Sequence, residues 1–400
     1  MISVQEALQV VQKNLPTRSV EAIPIKNALG SVLSADIFAR EPMPQFTNSA
    51  MDGYAVRWED ICQANENKPV ALKIVGESQA GIPFQNKINC GEAIRISTGG
   101  MLCEGADAVV PVEEVQVEGD LLQVLKAKKQ HQHVRFEGEE YKPGDLLLPK
   151  GTLLQPAQIA VLASQGIAEA PVYAPPGVSI IGTGSELVPY FETPQPGQIR
   201  DSNVLMLSLA VERSGGKAVR AARVSDDFDA TVQAVQNAAN ASRMILFTGG
   251  VSVGPHDFVK RAARECGFET IFWRVRQKPG KPLFFARKGE TLFFGLPGNP
   301  VSAYMCYLYY VHPVLQHLSG RKFSGNFTKA ILAERLQNTL NRAQFFRVRL
   351  ENAADNFRAF PLKKQGSHML TTVSDAGGFI FLDIDADLPA GQKVDVIPFV

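Results

Sequence analysis

Two carboxylates and two lysines stand among four glycine- and proline-rich turns in the middle of this chain. Glu186 ends Gly182-Thr183-Gly184-Ser185-Glu186, and Asp257 lies three residues past Thr248-Gly249-Gly250-Val251-Ser252-Val253-Gly254. Lys278 and Lys281 bracket Pro279-Gly280, and the fourth turn is Gly295-Leu296-Pro297-Gly298-Asn299-Pro300. Glycine lets backbone N–H groups approach an anion with no Cβ in the way. Lysine offers a compact point charge to phosphate or another oxyanion, and the prolines stiffen the loop that aims it. A carboxylate beside a phosphate cradle calls for a bridging cation, which Mg²⁺ provides through carboxylates and phosphate oxygens. The chemistry expected is phosphate-directed and metal-assisted, with Asp257 and Glu186 as metal ligands. Each carboxylate read alone is equally a helix-start charge.

The elements that must position these groups follow from the apolar pattern. Residues 178–181, 244–247 and 291–294 are strand-like, and each runs directly into a turn. Turns at the carboxyl ends of strands in an open α/β sheet are where ligands bind. Helical patterns at 204–214, 228–241 and 257–265 alternate with strands at 217–224 and 268–275. That alternation predicts a doubly wound parallel sheet with helices on both faces, and places Asp257 in a first helical turn. The second and fourth turns lead into helices, so each offers an anion a positive helix end. Pro300 suits a helix start, Pro297 and Pro300 read as structural, and Gly298 and Asn299 are placed to lie against a ligand.

Before this region, Ser3 and Glu6 form a capping box on a first helix, and residues 41–141 are β-rich. A helix runs from Pro156 to about Ser164, and the chain turns β-rich again from Gly320. Within 41–141, Asp52 belongs to an Asp-Gly turn. His131 and His133 read as neighbours on one strand face, too few for a metal site. The fold class is multidomain α/β plus β. Residues 1–43 and 142–173 form an elongated N-terminal domain and 44–141 a β-rich second domain. Residues 174–319 form the central α/β domain and 320–400 a C-terminal β-barrel-like domain.

Composition limits the partners. A net charge of +1 over 400 residues implies neither nucleic acid nor an acidic membrane surface. The five cysteines form no Cys-x-x-Cys pair, and the first residues lack signal-peptide character, which reads as a reducing, cytoplasmic compartment.

Taken together the blocks resemble the molybdopterin molybdenumtransferase family, the MoeA/gephyrin-E type. The resemblance is carried by Asn48-Ser49-Ala50-Met51-Asp52-Gly53-Tyr54-Ala55-Val56, by Thr98-Gly99 ahead of Glu104-Gly105-Ala106-Asp107, by the four central turns, and by Gln365-Gly366-Ser367. It implies insertion of molybdate into adenylylated molybdopterin with release of AMP, with Mg²⁺ as cofactor. It also implies a homodimer in which the α/β domain of one subunit and the β-rich domain of the other share a cleft, and other molybdenum-cofactor proteins as partners. By motif, Asp52, Thr98, Glu186 and Asp257 would be catalytic. Glu140, Gly182, Thr183, Gly184, Thr248, Gly249, Gly250, Ser252, Gly254, Lys278, Lys281, Pro297, Gly298, Asn299 and Pro300 would bind pterin nucleotide or molybdate. Ser185 and Glu140 stand where the family commonly has aspartate. Two competing readings are a pterin adenylyltransferase, explained by the central third alone, and a non-catalytic scaffold.

Overall fold

The computed structural model describes residues 1–252, 254, 257–323, 327–353 and 356–399. The chain divides into two compact units: residues 1–35, 151–155 and 169–400 make one, and 36–150 with 156–168 the other.

The larger unit is built on a six-stranded sheet. Its strands run, in spatial order, Lys217–Val224, Gly177–Thr183, Met244–Thr248, Thr291–Leu296, Phe284–Lys288 and Glu269–Trp273. The first four are parallel, Phe284–Lys288 runs against them, and Glu269–Trp273, antiparallel to that strand, runs with the first four again. The sheet is therefore mixed, where the sequence pattern predicts a parallel one. The reason is local: Gly289, with φ +55°, closes a hairpin between Phe284–Lys288 and Thr291–Leu296. Both faces are covered. Along Met244–Thr248, Met244 and Leu246 enter one apolar cluster and Ile245 and Phe247 another, as the two-residue period of a strand requires. Helix Asn203–Arg213 packs through Val204, Leu207 and Val211 on the first cluster, with Val4, Ala7 and Val11 of the N-terminal helix. Helix Phe228–Ala241 supplies Ala234, Val235 and Ala238 to the second. The predicted capping box is present: Glu6 N–H donates to Ser3 Oγ at 3.1 Å and Ser3 N–H to Glu6 Oε2 at 2.7 Å.

Toward the C-terminus, Ala343–Ala353, Asn356–Pro361, Thr328–Leu332, Lys393–Pro398 and Gly378–Leu382 pair in that order. Gly378–Leu382 also pairs with Ala343–Ala353, so the sheet closes into a barrel. Closure leaves no edge between these strands, and Val348, Ala359, Ile380 and Val396 fill the interior. The short strand Gln277–Lys278 joins the barrel by pairing in parallel with Ala343 and Gln344.

The smaller unit holds a six-stranded mixed sheet in the order Ala108–Pro111, Gly53–Val56, Glu92–Ile96, Val70–Ser78, Leu121–Val124 and Val115–Glu118. Its helix Pro156–Ser164 has the predicted bounds. His131 and His133 are not on a strand. Both take left-handed backbone angles, φ 64° and 60°, in a turn that ends at the two-residue strand Val134–Arg135.

Candidate functional site

The strand ends of the central sheet set the site. The first turn leaves Gly177–Thr183 and bends back over itself. A Cβ on Gly184 would come within 2.5 Å of Glu186 Oε2, so only glycine lets that carboxylate fold over the turn. The neighbouring strand Lys217–Val224 ends beside it and delivers Asp226. Asp226 accepts from the Thr183 hydroxyl at 3.2 Å and the Ser185 N–H at 3.0 Å, while its own N–H donates to Ser185 Oγ at 3.1 Å.

The second turn crosses close to the first. A Cβ on Gly249 would meet the Thr183 carbonyl oxygen at 2.5 Å. Gly249 N–H is not offered to a ligand, because it donates to the Leu296 carbonyl at 3.1 Å and so ties the second turn to the fourth. Gly254 N–H and Ser185 N–H are likewise spent, on the Asp257 and Asp226 carboxylates. No described residue accepts from the N–H groups of Gly250, Ser252, Gly298 or Asn299, which leaves those as the backbone donors of the cradle. Asp257 precedes its helix rather than starting it. The helix is Val259–Glu265, and the Asp257 carboxylate turns back onto Gly254. Val253 of this turn lies outside the described residues.

A buried amide joins the second and fourth turns to the helix after the first. Asn203 Nδ2 donates to Thr248 Oγ1 at 2.9 Å and to the Gly298 carbonyl at 2.7 Å, and the Thr248 hydroxyl donates to the Pro297 carbonyl at 3.0 Å. Pro300 opens helix Pro300–Cys306 at a position where a missing N–H costs nothing. Asn299 Nδ2 donates to Ser367 Oγ at 3.1 Å, which brings the loop at 365–368 to the same wall.

These turns line one cleft of about 1290 Å³, all of it in the larger unit. Thr183, Gly184 and Glu186 line it from the first turn. Thr248, Gly249, Gly250, Ser252, Gly254 and Asp257 do so from the second, Lys278 and Lys281 from the third, and Pro297, Gly298, Asn299 and Pro300 from the fourth. Gly182 is not on the wall. It is buried inside its strand, where a Cβ would press on Val204 Cγ2 at 3.0 Å. Asp52, Thr98 and Glu140 belong to the smaller unit and do not line this cleft. Asp52 and Thr98 are nevertheless together: Asp52 Oδ1 accepts from Thr98 N–H at 2.7 Å and from its hydroxyl at 3.1 Å. Glu140 is exposed, and its N–H donates to the Met43 carbonyl at 3.0 Å.

Charge in the cleft is mixed. Glu186, Asp201, Asp226 and Asp257 are acidic, and Arg200, Lys278, Lys281 and Arg342 are basic. Neither lysine ammonium, nor the Arg342 guanidinium, has an acidic partner among the described residues. Such uncompensated cations in a cleft suit an anionic ligand. Among the described residues no group of three or more His, Cys, Asp and Glu side chains is placed to hold a metal by itself. Lys260 supports the second turn from behind. Its ammonium lies 3.7 Å from the Trp273 ring centre and donates to the Ser252 carbonyl, and burial lowers its pKa against the opposing pull of Asp257.

Reading the sequence alone misses Asp201, Asn203, Asp226, Lys260 and Arg342. For Asp226 a signal exists: Ser225-Asp226-Asp227 follows a strand that parallels the first, so it too stands at a carboxyl end. Lys260 and Arg342 carry no such local signature.

The chain matches known proteins along its length. Residues 2–166 match the family profile "MoeA N-terminal region (domain I and II)", 179–317 "Probable molybdopterin binding domain" and 329–399 "MoeA C-terminal region (domain IV)". It is 33% identical over 405 residues to a molybdopterin molybdenumtransferase of Haemophilus influenzae, covering 100% of this chain and 99% of the relative. A Bacillus subtilis protein of the same name is 31% identical over 386 residues, covering 95% of this chain and 90% of the relative. The crystal structure of a molybdopterin biosynthesis MoeA protein from Pyrococcus horikoshii superposes with a TM-score of 0.88 at 32% identity, covering 100% of this chain and 99% of that one. With matches in order from residue 2 to 399, this chain belongs to the molybdopterin molybdenumtransferase family, of the MoeA type.

Proposed function

We propose that this protein inserts molybdate into adenylylated molybdopterin and releases AMP. One observation carries the reading beyond family membership. Two lysines with no acidic partner among the described residues line the same cleft as two carboxylates and as the Gly250, Ser252, Gly298 and Asn299 N–H groups, which no described residue accepts from. In this reading the N–H groups of Gly250, Ser252, Gly298 and Asn299 hold the pterin and adenylyl phosphates, and helix Pro300–Cys306 adds its positive end. Lys278 and Lys281 hold molybdate, a compact tetrahedral oxyanion suited to ammonium point charges. The four-part division at residues 43, 141, 173 and 319 belongs to the same reading, as do a reducing cytoplasmic setting and association with other cofactor-assembly proteins. All five cysteines are free thiols, and no described helix is long and apolar enough to cross a membrane.

Asp257 and Glu186 would hold Mg²⁺. The donor set fits: both are hard carboxylate oxygens, and the Glu186 carboxylate lies in a space that a Cβ on Gly184 would fill. Two protein ligands leave positions for substrate oxygens and water, which is how Mg²⁺ is usually bound. When present it would neutralise charge on the cleaved phosphoanhydride. The chain's own contribution is to fix Asp257 on the Gly254 N–H and to hold the turns in register through Asn203 and Asp226.

The reading also makes the protein a homodimer in which Asp52, Thr98 and Glu140 reach this cleft from a second subunit. A pterin adenylyltransferase needs only the central domain, and matches at both ends of the chain count against it. The deciding experiment is AMP release from purified adenylylated molybdopterin with and without molybdate. Molybdate-dependent release is expected, and ATP-dependent adenylylation of free molybdopterin without it would overturn the reading.

A further inference from the structure

The lysine loop rests on a polar network buried beneath it. Gln277 precedes Lys278 on the strand that pairs with Ala343 and Gln344, so the two side chains point to opposite faces. Lys278 is exposed and Gln277 is 0% exposed. A buried glutamine amide costs stability unless its polar atoms are paired. Gln277 Nε2 donates to the Gly280 carbonyl at 2.9 Å and approaches Cys306 Sγ at 3.5 Å, and Oε1 accepts from the Tyr310 hydroxyl at 2.6 Å.

Gly280 is the middle of the loop, between the two lysines. Its φ is +87°, and a Cβ there would lie 2.5 Å from Cys306 Sγ, so the loop sits directly on the helix below. Tyr310 reaches Gln277 because residues Tyr307–Val311 form a π-helical turn between two α-helical segments. The wider turn spreads side chains around the axis. Tyr307 bonds the Ala210 carbonyl at 2.7 Å and Ser214 at 2.6 Å on one side, while Tyr310, three residues on, bonds Gln277 on another. Burial raises the pKa of the Tyr310 hydroxyl, which keeps it a neutral donor.

We propose that Gln277 and Tyr310 are positioning residues that set the spacing of Lys278 and Lys281, and through it the affinity of the site for a tetrahedral oxyanion. Gln277 borders the cleft with its side chain fully buried and acts through the Gly280 carbonyl, and Tyr310 acts through Gln277. The inference rests on the reading of the two lysines as the oxyanion site. A hydrogen bond between buried groups holds its geometry more firmly than a solvated one, and losing one partner leaves the other unpaired. Loop position is therefore tied to the π-turn and not only to the strand.

The test compares Tyr310→Phe, Gln277→Met and the double variant with Lys278→Ala and with a control, Tyr307→Phe. The control removes a buried hydroxyl from the same turn that does not contact the loop. The measurements are the molybdate concentration for half-maximal AMP release, the affinity for adenylylated molybdopterin, and the thermal midpoint. Tyr310→Phe and Gln277→Met should each raise the molybdate requirement by about three- to tenfold, with pterin nucleotide affinity unchanged. The double variant should cost less than the sum of the two, because they share one bond. If Lys278→Ala shifts molybdate dependence and Tyr310→Phe does not, the brace is wrong and the site reading stands. If Tyr307→Phe shifts it equally, the effect is general packing and the proposal falls. If Lys278→Ala leaves it unchanged, the site reading falls and takes the brace with it.

Discussion

Ser185 and Asp226 exchange hydrogen bonds: Ser185 N–H donates to Asp226 Oδ2 at 3.0 Å, and Asp226 N–H donates to Ser185 Oγ at 3.1 Å. The pair clasps the ends of two neighbouring parallel strands and fixes the turn that carries Glu186. Serine at 185 is thus an acceptor matched to the Asp226 backbone, where an aspartate would set a second negative charge beside the first.

The clasp predicts an order of effects. Asp226→Ala strands two donors, the Thr183 hydroxyl and the Ser185 N–H, whereas Ser185→Ala removes one acceptor. At about 0.5–1.5 kcal/mol per bond, Ser185→Ala should cost a few-fold in AMP release and Asp226→Ala about two- to tenfold more. Asp226→Asn should fall between. Equal loss in Ser185→Ala and Asp226→Ala would separate the Asp226 role from the turn.

Lys278→Ala or Lys281→Ala should raise the molybdate requirement by about ten- to a hundredfold, the equivalent of roughly 1.5–3 kcal/mol for a charge-assisted contact. Arginine should rescue poorly, because its planar fork does not match a tetrahedral oxyanion on a short loop. A fall in nucleotide affinity with unchanged molybdate dependence would move both lysines to the adenylyl phosphates.

His312 ties stability to pH. Its pKa is lowered to about 4, first by burial and then by Arg321, while its Nδ1 lies 2.8 Å from Ser214 Oγ. The unfolded chain therefore binds this proton more readily than the folded one between about pH 6.5 and 4. Its contribution is complete above the unfolded value and is lost as pH falls through that window, on the order of 3 kcal/mol in all. Unfolding by denaturant across this range should show a shallower pH slope for His312→Gln than for the parent protein. Identical slopes would assign the acid sensitivity to other groups.

In the proposed homodimer with shared clefts, mixing an Asp52→Ala chain with an Asp257→Ala chain should restore part of the activity, because the mixed dimer would hold one intact site. Asp257→Ala alone should impair turnover more than pterin nucleotide binding, as expected of a group acting mainly in the transition state. No gain on mixing would return each site to a single subunit.

Much of the cleft was legible because glycine reports local geometry. Gly184 and Gly249 stand where a Cβ would collide with Glu186 and with the Thr183 carbonyl, and both are visible as turn residues after apolar runs. Asp226 was legible only as a residue after a strand; its partnership with Thr183 and Ser185 comes from sheet order, since Lys217–Val224 lies beside Gly177–Thr183, which no periodicity states. The hairpin strand Phe284–Lys288 was missed for a related reason. Phe284-Phe285-Ala286-Arg287-Lys288 is a short run that two basic residues close, and nothing in it announces its direction. His131 and His133 mimic a strand's two-residue spacing, but left-handed backbone angles place both in a turn. Asp52 and Thr98 share a hydrogen bond across 46 positions, which only the fold reveals.

The division into two units is discontinuous, and this governs what can be cut away. The chain passes between them after residues 35, 150, 155 and 168, so helix Pro156–Ser164 returns to the smaller unit after a five-residue visit to the larger. A protease nick at 151–155 would leave two fragments that each contribute to both units. Neither fragment carries a whole unit, and both remain held by packing on two sides. Excising residues 36–150 as a stand-alone domain would strip it of that helix, whereas removing the entire smaller unit requires two deletions and new connections on either side of residues 151–155.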